Sequence, residues 1–169
     1  MSRILIACVG NIFLGDDGFG VEVARRLTSR SMPLDVSVRD FGIRGFDLAY
    51  ALMDSYDLTI LVDACSRGGA PGTVYLIEPD PIEEDSTHAG LPQLEPHGMN
   101  PMNVLRMVKS LGGTPGRVLV VGCEPAQLES DHDGQLGLSE PVQAGVEDAI
   151  AMIESLVSKV LEGEPVQIR

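Results

Sequence analysis

Ile4-Leu5-Ile6-Ala7-Cys8-Val9-Gly10-Asn11-Ile12-Phe13-Leu14-Gly15-Asp16-Asp17-Gly18-Phe19-Gly20 joins a continuous apolar run to a glycine-rich turn. An uninterrupted apolar run of this length suits a strand buried on both faces, as in a parallel sheet. A glycine-rich turn after a first strand usually prepares a phosphate site at a helix N-terminus. Here the turn delivers two adjacent aspartates. Phosphate is anionic, so paired carboxylates argue for a cation or for acid–base work.

The pattern continues outward from that turn. Val21, Ala24 and Leu27 are spaced for a helix over 20–30. Val36 and Val38 alternate with polar residues and predict a second strand over Asp35–Phe41. Gly42-Ile43-Arg44-Gly45 reads as a turn, and Phe46, Ala49, Leu52 and Met53 as a short helix. Leu58–Val62 predicts a third buried strand ending at Asp63. Thr73–Ile77 gives a fourth after Pro71-Gly72, and Arg117–Val121 a fifth that stops at Gly122. Residues 79–101, rich in proline and acids, read as a long loop, followed by a helix over Met102–Leu111. After a loop over 124–138, Ser139 is placed to cap a helix with Pro141 in its first turn. Val142, Val146, Ala149, Ile153, Leu156 and Val160 then mark one apolar face of a long amphipathic helix.

Alternating strands and helices predict an α/β fold, a three-layer α/β/α sandwich around a twisted, mostly parallel five-stranded sheet. The length of 169 residues predicts a single domain, 1–169. The formal charge of −13 opposes nucleic-acid or anionic-membrane partners, which require basic patches. The 3 cysteines, Cys8, Cys65 and Cys123, are widely spaced, which gives no zinc framework and fits a reducing compartment. The first apolar run is too short for a membrane span or signal peptide. These readings predict a cytoplasmic protein.

In an open α/β sheet, ligands gather beyond the carboxyl ends of the strands. Asp17, Asp40 and Asp63 all fall there. Asp16 has an ordinary role as the cap of the first helix, at the positive end of its dipole. A second aspartate repels the first, so Asp17 is the functional candidate. Of the histidines at 88, 97 and 132, His97 is favoured because a helix start anchors its loop. Two carboxylates and one imidazole suit a divalent transition metal and leave coordination positions open. Cys65, two residues past Asp63, is a conceivable nucleophile, although a small apolar role is the default. Asp40 also sits where an acid would hold a ribose hydroxyl in a dinucleotide fold. Against that, Gly10 and Gly15 break the required glycine register, and Asp16 and Asp17 would face a pyrophosphate.

The first motif, together with Asp40-Phe41-Gly42-Ile43-Arg44-Gly45, Leu61-Val62-Asp63-Ala64, Pro71-Gly72-Thr73 and Pro96-His97, resembles the hydrogenase maturation endopeptidases. The match runs in order from about residue 3 to 125. Members of that family remove a C-terminal extension from the large subunit of NiFe hydrogenases after nickel insertion. The resemblance implies metal-binding positions at Asp17, Asp63 and His97, and an aspartic-type peptidase reading of the same residues. It implies nickel carried by the substrate precursor, a free enzyme without metal, and the large-subunit precursor as partner of a monomer. Arg44 is expected to contact the acidic or carboxylate part of the substrate tail. A nonenzymatic metal-sensing binding module or chaperone is the alternative from another class. A nucleotide-binding oxidoreductase is a more distant third.

Overall fold

The computed structural model describes residues 2–79, 100–126 and 136–168. β1 (Ile4–Val9) leads through a single 3-10 turn (Gly15–Gly18) into α1 (Phe19–Leu27). β2 (Val36–Gly42), α2 (Gly45–Met53), β3 (Leu58–Ala64) and β4 (Val74–Ile77) follow. α3 (Pro101–Ser110), β5 (Arg117–Cys123) and α4 (Glu140–Leu161) complete the described elements.

The strands form a 5-stranded sheet in the order β2-β1-β3-β5-β4. β1 runs parallel to β2 and β3, with Ile4 opposite Val36 on one side and Leu58 on the other. β3 is parallel to β5, and β4 alone is antiparallel, pairing Val74 with Cys123 at the sheet edge. The mostly parallel α/β sheet expected from the sequence is therefore present. Its order places the topological switch point between β1 and β3, because the chain leaves β1 toward opposite sides of the sheet.

β1 is buried on both faces, and its alternate residues enter different cores. Ile4, Ile6 and Cys8 pack with α1 and α4 residues such as Phe19, Val23, Val146 and Ile153. Leu5, Ala7 and Val9 pack with Leu48 and Leu52 of α2 and Val104 and Val108 of α3. Helices thus cover both faces, as a parallel sheet requires.

Several boundaries differ from the sequence reading for local reasons. α1 stops at Leu27 rather than running to residue 30. The hydroxyls of Thr28 and Ser29 donate back to the carbonyls of Arg25 and Arg26 at 3.0 and 2.7 Å, competing with the helical ladder. α3 begins at Pro101 because the Asn100 side chain accepts the Met102 N–H at 2.9 Å and proline needs no donor partner there. β3 continues past Val62, because Asp63 and Ala64 still pair with Gly122 and Cys123. Asp63 therefore lies within a strand, not beyond one.

Candidate active site at the switch point

Two close approaches set the geometry of the β1–α1 connection. A Cβ on Gly20 would lie 2.1 Å from the Val9 carbonyl oxygen and 2.5 Å from that of Val62. The start of α1 therefore sits directly on the carboxyl ends of β1 and β3, where only glycine fits. A Cβ on Gly10 would meet the Asp17 carbonyl oxygen at 2.1 Å. The turn folds back over β1, and the Asn11 N–H is shared by the Asp17 backbone carbonyl at 3.2 Å and its carboxylate Oδ2 at 3.0 Å. Gly10 and Gly20 of the first motif thus serve the close packing of backbones.

This folding brings Asp17 near enough to Asp63 for its charge to act on that carboxyl. Burial raises the Asp17 carboxyl above the usual carboxylate range, opposed by the Asn11 N–H. Asp63 is 8% exposed, and its carboxyl is held well above that range. Burial is the main cause, the charge of Asp17 adds to it, and a bond from the Ala64 backbone opposes it. Among the described residues no ion pair engages either acid. Two close, partly desolvated carboxylates are stabilised by a shared proton or by a cation. Of the candidate site residues, Asp17 and Asp63 are thus brought together. His97 lies outside the described residues, as do His88 and His132. Among the described residues, no group of three metal-ligating side chains is assembled.

Asp16 does not cap α1, contrary to the sequence expectation. It is 3% exposed and points the other way. Its Oδ1 accepts the Ser139 N–H at 2.7 Å, and its Oδ2 accepts the Ala126 N–H and the Ser139 hydroxyl, both at 2.9 Å. Successive residues of a 3-10 turn diverge by about a third of a revolution, so adjacent aspartates face different surroundings. Ser139 does occupy the N-cap position of α4, but its hydroxyl is spent on Asp16 rather than on its own helix.

Asp40 also has a local use. Its Oδ1 accepts the Gly42 N–H at 2.8 Å, which closes the turn after β2. Arg44 fastens the same turn. Its Nε donates to the Phe41 carbonyl at 3.1 Å, its Nη2 to the Asp40 carbonyl, and its Nη1 lies 3.5 Å from Asp47.

Glu124 was missed in the sequence reading, which assigned it to a loop. It is 4% exposed and holds the β3–β4 connection. It accepts the N–H groups of Arg67 and Gly68 at 2.8 and 3.2 Å, the Tyr75 hydroxyl at 2.8 Å and the Ser66 hydroxyl at 3.4 Å. Burial alone would raise its carboxyl; the donors from Arg67, Tyr75, Gly69 and Gly68 more than offset that and bring it below the usual range. The available signal was its place directly after the apolar strand Val118–Cys123, the same cue that selected Asp63.

Cys65 is half-buried, and burial raises its thiol, with Arg67 acting in the opposite direction. The thiol form is favoured at neutral pH, which disfavours a nucleophilic role. Cys123 is pushed up to about 12, chiefly by burial.

The comparisons with known proteins agree with this architecture. Residues 21–156 match the family described as hydrogenase maturation protease. A putative hydrogenase maturation protease of Methanocaldococcus jannaschii is 41% identical over 83 residues, covering 47% of this chain and 52% of that protein. The hydrogenase 2 maturation protease of Escherichia coli is 31% identical over 109 residues, 63% of each chain. The chain spans about half the length of the curated relatives it matches first, 52% and 42% for two of them. Solved structures match over more of their length. The hydrogenase-maturating endopeptidase HybD from E. coli superposes with a TM-score of 0.71 at 28% identity, covering 94% of this chain and 93% of that one. A hydrogenase 2 maturation peptidase from a Thaumarchaeota archaeon gives a TM-score of 0.67 at 32% identity, covering 92% and 98%. With its sheet order, its glycine-packed turn and its paired acids thus accounted for, this chain belongs to the hydrogenase maturation protease family.

Proposed function

We propose that this chain is an endopeptidase that removes the C-terminal extension of a NiFe hydrogenase large-subunit precursor once nickel has been inserted. The observation that carries the reading is the convergence of Asp17 and Asp63 at the β1/β3 switch point, where each raises the need for a positive partner. The precursor brings that partner as part of the substrate. Its nickel, held on cysteine thiolates near the scissile bond, is recognised by Asp17, Asp63 and His97. The donor set suits the ion: two carboxylates and an imidazole match a divalent transition metal and leave positions open for the thiolates. Nickel-free precursor offers no such ion, so its docking gains nothing from the two acids.

Two chemical routes use this arrangement. The metal polarises the scissile carbonyl as a Lewis acid, or it only seats the peptide while a carboxylate takes a proton from the attacking water. A buried acid whose proton affinity is raised above the usual carboxylate range is suited to that second task. The free protein carries no metal of its own and works as a cytoplasmic monomer, without nucleic acid or membrane. No helix among the described residues is long and apolar enough to cross a membrane.

The test is incubation with nickel-loaded and nickel-free precursor, with mass spectrometry of the large subunit's C-terminus. Cleavage of the loaded form alone is expected. Asp17→Asn, Asp63→Asn and His97→Ala should each slow it by at least ~100-fold while the protein stays folded. Binding of the loaded precursor with no cleavage would replace the endopeptidase with a nonenzymatic sensor of metal loading.

A further inference from the structure

We propose that Asp16 is a positioning residue: it sets the place of Asp17 by tying the site turn to the head of α4 and to the segment that follows β5. This rests on the endopeptidase reading for its consequence in catalysis, and on hydrogen-bond geometry for its structural content.

Asp16 is buried, yet no basic side chain faces it in an ion pair among the described residues. Its charge is met instead by two backbone N–H groups and one hydroxyl, at 2.7 to 2.9 Å. One of those N–H groups, and the hydroxyl, belong to Ser139 at the N-terminus of α4, a helix of 22 residues. The helix dipole adds a favourable field there. The partners lie 110 and 123 residues away along the chain, so the carboxylate joins regions that share no local structure.

The 3-10 turn spans only Gly15–Gly18, so fixing Asp16 leaves Asp17 little freedom. Asp17 has one further tether, the Asn11 N–H. The turn is therefore held at two points. One points into the protein through Asp16, and the other points back to β1 through Asn11. Between them the Asp17 carboxylate is set beside Asp63. Releasing the inner point lets the turn rotate. A displacement of about 1 Å in a reacting constellation is enough to cost a large factor in rate.

Asp16→Asn keeps the size of the side chain but turns an NH2 group toward a backbone donor. Two readouts test the proposal, and both must move. The first is amide hydrogen exchange in the free protein. The Ala126 and Ser139 amides are expected to lose protection directly. The Asn11 amide, which touches only Asp17, should exchange about tenfold faster or more, while Ile6 within β1 keeps its protection. The second is cleavage of nickel-loaded precursor. kcat should fall about 10- to 100-fold with KM within about threefold of wild type, as for loss of alignment rather than of binding. Ile153→Val, a core change in α4 of modest cost, controls for stability alone and should leave both kcat and Asn11 exchange unchanged. Ser139→Ala is the milder companion should Asp16→Asn not fold. It removes one donor of the three, and a smaller change in the same two readouts is expected.

Unchanged Asn11 exchange overturns the proposal, because Asp16 would then not act through Asp17. Faster Asn11 exchange with wild-type kcat overturns it as well. If wild-type protein does not cleave the precursor, the endopeptidase reading falls, and the Asn11 amide alone decides whether Asp16 positions Asp17.

Discussion

Asp16, Asp17, Asp63 and Glu124 gather at one end of the sheet, and hydrogen-bond donors are divided among them unequally. Asp16 and Glu124 are surrounded by N–H and O–H groups. Asp17 and Asp63 each have a single opposing backbone bond that eases their charge. The first two hold loops in place, and the last two are left with raised proton affinity. That imbalance has a sign in stability. A carboxyl whose folded-state pKa lies above its unfolded value contributes stability below the unfolded pKa, and the contribution is lost as pH rises through the folded one. For Asp63, with an ordinary value of 3.8, the loss begins above that pH and continues as pH rises through the raised folded-state value, which burial and then the charge of Asp17 hold up. Asp63→Asn should therefore melt at a higher temperature than wild type near pH 7, with the gap narrowing toward pH 4. Thermal melts of both proteins across that range check it. A gap that does not change with pH would assign the effect to packing instead.

At the level of elements, α1 and α4 are joined twice. Beneath, Phe19, Val23 and Leu27 pack with Val146, Ile150 and Ile153. Above, Arg26 and Arg30 reach Glu147 at 2.6 and 2.9 Å, Arg30 reaches Glu154 at 3.0 Å, and Glu22 pairs with Arg25 and Arg26. The Arg25 bond, with Arg26 assisting, holds the Glu22 carboxyl at about 2, against an ordinary 4.5. Its contribution is present above pH 4.5 and is lost as pH falls through about 2. Solvent screens these exposed arginines, so the contribution is modest. Glu22→Gln is expected to cost about 0.5–1 kcal/mol at pH 7 and progressively less below pH 4.5. Urea unfolding at pH 7 and pH 3 reads this directly. The apolar half of the α1–α4 contact was legible in the sequence, because Val142, Val146, Ala149, Ile153 and Leu156 recur at helical spacing and are buried. The ionic half was not, since Arg30, Glu147 and Glu154 are ordinary charged residues until two helices are laid side by side.

For the whole molecule, the decisive contact is the landing of α1 on two strands at once. Gly20 abuts the carbonyls of Val9 and Val62, from β1 and β3, and backbone cannot move aside as a flexible side chain can. Gly20→Ala should destabilise the protein by about 1–3 kcal/mol in urea. It should also push the turn away from β3. Asp17 would then act less strongly on Asp63, and the proton affinity of Asp63 would drop toward that of an isolated buried acid. Carboxyl chemical shifts across pH measure that second effect, and an unchanged Asp63 titration would show that the turn keeps its place without the close contact.

The sequence by itself determined the alternation of strands and helices and the apolar faces, and it offered Asp17 and Asp63 as candidates. Each depends on short-range periodicity or on a residue's place at a strand end, which linear order records. The glycine pattern also marked the first turn as special, although not the reason: close approach of backbones has no linear signature. Only the tertiary structure decided that Asp16 serves α4 rather than α1, and that Glu124 anchors the loop after β3. It also decided that Asp17 and Asp63 desolvate and repel one another. Those outcomes depend on distances between segments tens of residues apart, and on how few donors remain once each buried carboxylate has taken its share.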